Sequence, residues 1–201
     1  ASHTIRGTGS IHVAMDNYGS VTADQPGRVL RLLSYGKTNR SSIAATQGGW
    51  LDVNCNLTQT PGATLSAAGS GSRVRLSGAS VTGGQIAAGV DAVTEVIGNS
   101  SVVGVATTGN LRVHPSTSLA VYTSLDNQGL ITVNPAQSTS AATVQCMNSL
   151  PLQGSGTLRL NANPANLDTA YLHYYSGAEV LTQHASHTIA GTGSIHVGLL
   201  N

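Results

Sequence analysis

The chain has 201 residues, of which 40% are hydrophobic and only 8% charged, with a formal net charge of +1. That much apolar material argues against disorder, the near-neutral balance lacks the electrostatic footprint of a nucleic-acid binder, and no apolar run reaches the roughly 18 residues of a membrane span. With 82 residues of Gly, Ser, Thr and Asn, no Phe and one Lys, the composition suits short strands and many turns, not a helical bundle or a dinucleotide-binding fold.

A pattern Gly-x-apolar-x-apolar runs through the chain. It opens at Gly9-Ser-Ile11-His-Val13 and Gly19-Ser-Val21-Thr-Ala23, and continues at Gly49-Trp-Leu51-Asp-Val53 and Gly84-Gln-Ile86-Ala-Ala88. It returns at Gly109-Asn-Leu111-Arg-Val113, Gly129-Leu-Ile131-Thr-Val133, Gly156-Thr-Leu158-Arg-Leu160 and Gly193-Ser-Ile195-His-Val197, with a slipped copy at Gly71-Ser-Arg-Val74-Arg-Leu76. Glycine permits a tight corner, and the alternation that follows buries one face of a short strand. Strands of three to five residues form no core singly, but stacked coils bury a continuous apolar column. The expected inward residues are Ile11, Val13, Val21, Leu51, Val53, Leu111, Val113, Ile131, Val133, Leu158 and Leu160. A companion motif at Asn17–Thr22 and Asn127–Thr132 places asparagines where they can stack at corners. Val90–Thr108 fits the pattern poorly and is expected to hold an insertion or irregular coil; the best helical candidate, Pro164–Tyr171, is brief.

The two ends repeat one another. Residues 1–13 read ASHTIRGTGSIHV and residues 185–197 read ASHTIAGTGSIHV, differing only at Arg6 against Ala190. The chain therefore divides into one period of about eight coils, 1–184, and the first coil of the next, 185–201. Its repeat ends are Ile5, Gly7, Gly9, Ile11 and Val13, matched by Ile189, Gly191, Gly193, Ile195 and Val197. The first four residues enter directly into patterned sequence, so no signal peptide is expected there.

The motifs Ile5-Arg-Gly7-Thr-Gly9-Ser-Ile11-His-Val13, Asn17-Tyr-Gly19-Ser-Val21-Thr-Ala23 and Leu152-Gln-Gly154-Ser-Gly156-Thr-Leu158-Arg-Leu160 resemble the β-solenoid repeats of very large bacterial surface and secreted proteins, such as autotransporter passengers. The resemblance implies an all-β fold, a right-handed parallel β-helix with irregular coil lengths. It also implies an extracellular or cell-surface stalk, adhesin or sheath.

Chemistry is sparse. No GxGxxG, Walker A or G-x-S-x-G sequence is present. The eight carboxylates are scattered; Asp52 beside Trp50 reads as a solvated strand face, and Asp91 with Glu95 is the nearest pair. The seven histidines read as exposed surface, with His12 and His196 pointing outward. Arg28, Arg31, Lys37 and Arg40 read as an outward loop. Cys55 and Cys146 share the parity of inward residues and behave as small buried hydrophobes. Asn39, Asn56 and Asn99 carry sequons. The expectation is a non-enzymatic structural repeat needing no cofactor or metal, whose main partner is itself, with no nucleic acid and no membrane insertion. The alternatives are an adhesin or carbohydrate-binding module using Trp50 or the Tyr171, Tyr174 and Tyr175 patch, with glycans as partner, and a polysaccharide-degrading β-helix enzyme.

Overall fold

The computed structural model describes residues 3–201; Ala1 and Ser2, which open the first repeat copy, lie outside the described residues. The described chain contains 28 strands and no helix, including across Pro164–Tyr171. The strands form three sheets of ten, nine and nine, and every pairing between them is parallel. Each sheet takes every third strand, so the chain winds as a three-sided β-solenoid of about nine turns. The first sheet starts with Thr4–Arg6, the second with Gly9–Ile11 and the third with Met15–Asn17. At about 4.8 Å per rung the solenoid is roughly 40 Å long.

Parallel in-register pairing converts the period-two pattern into columns. Inside the second sheet, Leu30, Leu51, Val74, Thr94, Leu111, Ile131 and Leu158 stack rung on rung, beside Leu32, Val53, Leu76, Val96, Val113, Val133 and Leu160. The first sheet contributes Val21, Ile43, Leu65 and Ile86, and a narrow column of Ala23, Ala45, Ala67 and Ala88. Three flat faces meeting at tight corners leave little width, which is why Ala, Val and Leu fill a core containing no Phe. Each fully buried Val or Leu adds roughly 1.5–3 kcal/mol of transfer free energy.

The expected inward residues are buried, with two differences at the first coil. Ile11 is half-buried, and Val13 is 66% exposed because it lies in the bend after Gly9–Ile11, not in a strand. The segment expected to be irregular is a regular coil: Val93–Val96, Ser100–Val103 and Val105–Thr108 supply one strand to each sheet. Its corner is made by Asp91, whose φ of 60° does the work that glycine does in the repeat motif.

Polar columns are satisfied along the axis. Asn17 Nδ2 donates to Asn39 Oδ1 at 2.9 Å, and Asn39 Nδ2 donates to Gln59 Oε1 at 3.1 Å. Gln59 Nε2 then donates to the carbonyls of Gly83 and Gln85. The companion-motif asparagines thus diverge: Asn17 begins a ladder, whereas Asn127 Oδ1 accepts from Thr107 Oγ1 and the Gly129 amide at a different corner. Asn39 is fully buried and so is closed to glycosylation in the folded state, while Asn56 and Asn99 are exposed.

Two substitutions test this register. Thr94 sits in the apolar column with its buried Oγ1 unpartnered. Thr94→Val should raise unfolding free energy by about 1–2 kcal/mol, because an unsatisfied buried hydroxyl is removed without changing shape. Leu158→Asp places an unpaired carboxylate in the core and should cost at least about 3 kcal/mol. Chemical denaturation of both variants checks the pair; unchanged stability in Leu158→Asp means that the column assignment is wrong.

Candidate functional site

Charge is concentrated on the outer face of the second sheet. Its central outward column reads Ser10, Arg31, Asp52, Arg75, Glu95, Arg112, Thr132, Arg159 and Ala190, one residue per rung. Asp52 is buried, contrary to the expectation of a solvated face, because Arg75 grips it through two bonds of 2.6 and 2.8 Å and Arg31 lies 3.7 Å away. Glu95 is also buried, between Arg73 and His114, each at 3.2 Å. Burial by itself raises the Glu95 pKa, but His114 and Arg73 outweigh it and hold the carboxyl below its ordinary value. Asp91 is exposed at its corner and does not join Glu95.

Trp50 lies on this face, one rung from Arg73 and Arg75. Their guanidinium carbons sit 5.3 and 4.7 Å from its ring centroid, so cation–π contacts with the protein's own arginines engage the ring. Trp50 and the tyrosine patch are far apart in the stack: Tyr171 and Tyr174 belong to the third sheet, on Ala170–Tyr174, with Tyr175 in the bend that follows. Tyr174 packs partly against the core, Tyr175 is exposed, and Tyr171 stands outward beside two histidines. His196 lies one rung from His173, with the rings edge-on and their centroids 5.3 Å apart. His173 Nδ1–H donates to the Tyr174 carbonyl at 2.5 Å. No group of three or more His, Cys, Asp or Glu converges here or elsewhere among the described residues.

Two basic or titratable residues expected at the surface are inside. Lys37 is buried, donating to the carbonyls of Leu33 at 2.9 Å and Tyr35 at 2.5 Å, and thereby closing the turn between the second and third sheets. A turn with inward-facing carbonyls is the physical reason, and it leaves no trace in residue patterning. His187 is also buried, with its Nε2 3.0 Å from Asn127 Nδ2. Since Asn127 Oδ1 already accepts two bonds, its amide nitrogen faces the ring, so His187 Nε2 accepts and Nδ1 carries the proton.

The remaining titratable groups are structural. Cys55 and Cys146 are buried and unpaired as expected inward residues; burial raises both thiols, Cys146 to about 11 with the nearby Glu179 charge adding to it. Neither is poised as a thiolate nucleophile. Glu179 is held down at about 2, chiefly by the Ser176 hydroxyl and then by its own backbone amide and those of Ser176 and Gly177, and it clamps the loop after Tyr175.

No protein-family model matches this sequence, and no curated protein or solved structure shows significant similarity to it.

Burial lowers the His187 pKa below its ordinary value. The unfolded chain therefore binds this proton more readily than the folded one, so the stabilisation is present above about pH 6.5 and is lost as pH falls below it. Denaturant midpoints measured from pH 7.5 to 5 should fall in the wild type, and the fall should be shallower in His187→Gln. An identical slope in the variant removes His187 as the cause.

Proposed function

We propose that this chain is a structural module of an extracellular or cell-surface fibre, stalk or sheath, extended head to tail by further coils of its own kind, and not an enzyme. The observation that carries the reading is that both end coils of the solenoid open on one sequence, shared through Val13 and Val197. The first coil is Thr4–Arg6, Gly9–Ile11 and Met15–Asn17; the last is Thr188–Thr192, Ser194–His196 and Gly198–Leu200. Among the described residues these six strands are the outer members of the three sheets. Unpaired strand edges recruit further strands.

Glycine contacts support the same reading. In the second copy, a Cβ on Gly191 would collide with the Leu160 carbonyl oxygen, and one on Gly193 with that of Ala170. In the first copy, Gly7 and Gly9 have φ of 119° and 123° and nothing within 4 Å of the same position. The first coil thus carries the close-approach glycines that, in the second copy, admit a preceding coil.

The copies occupy different faces. Thr4–Arg6 lies in the first sheet, but Thr188–Thr192 lies in the second. Continuation from the second copy then turns each module by one of three faces, and a feature of one face winds round the fibre. The one sequence difference follows from the same placement. Arg6 Nε donates to Asp24 Oδ2 at 2.7 Å, whereas Ala190 sits one rung from Arg159, where an arginine would meet a like charge. The contact between modules is heterologous and does not close on itself.

Electron microscopy of the purified protein should show filaments with an axial rise near 40 Å per module, and Ile5→Lys with Ile195→Lys at the edges should abolish them. Isolated monomers with no axial repeat overturn the reading. Ala190→Arg should destabilise the last coil by about 0.5–1 kcal/mol, seen as faster amide exchange across Thr188–His196.

A further inference from the structure

The charge column on the second sheet is balanced over only part of its length. Asp52 is neutralised by Arg75 and Arg31, and Glu95 by Arg73, with His114 hydrogen-bonded beside it. Arg112 and Arg159, farther along the same column, have no hydrogen-bond or ion-pair partner among the described residues, and the rungs of Thr132 and Ala190 bring no acid to them. Glu95, one rung from Arg112, is already held, Asp91 stands exposed at the corner, and Asp126 on the first sheet accepts from Gln128 at 2.8 Å.

A groove of about 680 Å³ opens beside Arg112. It exists because the corner at Gly89–Ala92 projects, with Val90 86% exposed, whereas Thr108 passes to Asn110 through Gly109 alone. The turns at Gly71–Arg73 and Gly89–Val93 form one wall, and Asn110, Arg112, Gln128 and Leu130 line the rest. Asn110 Oδ1 is buried without a partner at its base. Beyond the groove the outward positions Thr132, Thr157 and Thr188 continue a polar surface with no aromatic residue.

We propose that this groove and the Arg112–Arg159 column bind a linear acidic polysaccharide, one carrying carboxylates along an extended chain. Each free guanidinium offers a fork matched to a carboxylate. The two arginines are two rungs apart, about 10 Å, so an extended glycan meets them with acid groups on separate sugars while Asn110 and Thr132 take hydroxyls. A nucleic acid fits less well: it presents phosphates densely and gains from aromatic stacking, which this face lacks. The site is separate from the strand edges used in end-to-end assembly and from the tyrosine patch on the third sheet, and Trp50 touches it only through Arg73.

Calorimetric titration with polygalacturonate oligomers tests the assignment, with neutral dextran and a single-stranded oligodeoxynucleotide as comparison probes. Binding to polygalacturonate alone is expected, weakening with salt. Arg112→Gln and Arg159→Gln should each weaken it roughly tenfold, and Arg28→Gln, at the other end of the sheet, should not. Circular dichroism and thermal melting unchanged from wild type confirm that the variants fold. The assignment is overturned by no polygalacturonate binding, by equal binding of dextran or the oligonucleotide, or by binding that survives both substitutions.

Discussion

Rung-by-rung parallel pairing is the constraint on which the rest of the molecule depends. Because each strand lies in register on the one three strands earlier, a residue's neighbours along the axis are set by backbone hydrogen bonds, not by its own preferences. One apolar position therefore becomes a column, and one misplaced charge would interrupt two neighbours at once. The triangular cross-section adds a limit on volume, and the alanine column of the first sheet shows how narrow that side is.

The same constraint organises the polar residues. Inside, side-chain amides donate along the axis from Asn17 to Asn39 to Gln59, so a buried polar column is tolerated only because each member satisfies the next. Where no partner stands on the adjoining rung, as at Thr94, the group is left unsatisfied. Outside, alternating Arg31, Asp52, Arg75 and Glu95 turn a sheet face into a ladder of ion pairs, and burial of the two carboxylates follows from having arginines on neighbouring rungs. When the acidic members of the alternation stop, as they do beyond Glu95, positive charge is left over. A nearly neutral chain can thus carry a locally basic surface.

The ends obey the rule in reverse. A coil is complete only when another lies on it, and identical sequence acquires different burial at the two ends: Val13 is 66% exposed while its counterpart Val197 is 7% exposed. Likewise His3 is exposed whereas His187 is enclosed, bonded to Asn127 across two coils.

Most of the architecture was legible in the sequence, because period-two alternation after a corner glycine dictates short strands and a self-similar stack. Leu51, Val53, Leu111, Val113, Ile131, Val133, Leu158 and Leu160 read directly as core for that reason. Corners were less legible: Asp91 adopts a positive φ without being glycine, so a regular coil at Val93–Thr108 carried no motif. What only the tertiary structure decided is which residues meet across rungs. The spacing between coils varies, so no local pattern tells that Asp52 meets Arg75, that Trp50 lies against two arginines, that His173 underlies His196, or that the second repeat copy is turned onto another face. Alternation along the chain is a property of each strand, whereas register between strands is set by the length of every intervening corner, and that sum exists only once the chain has wound.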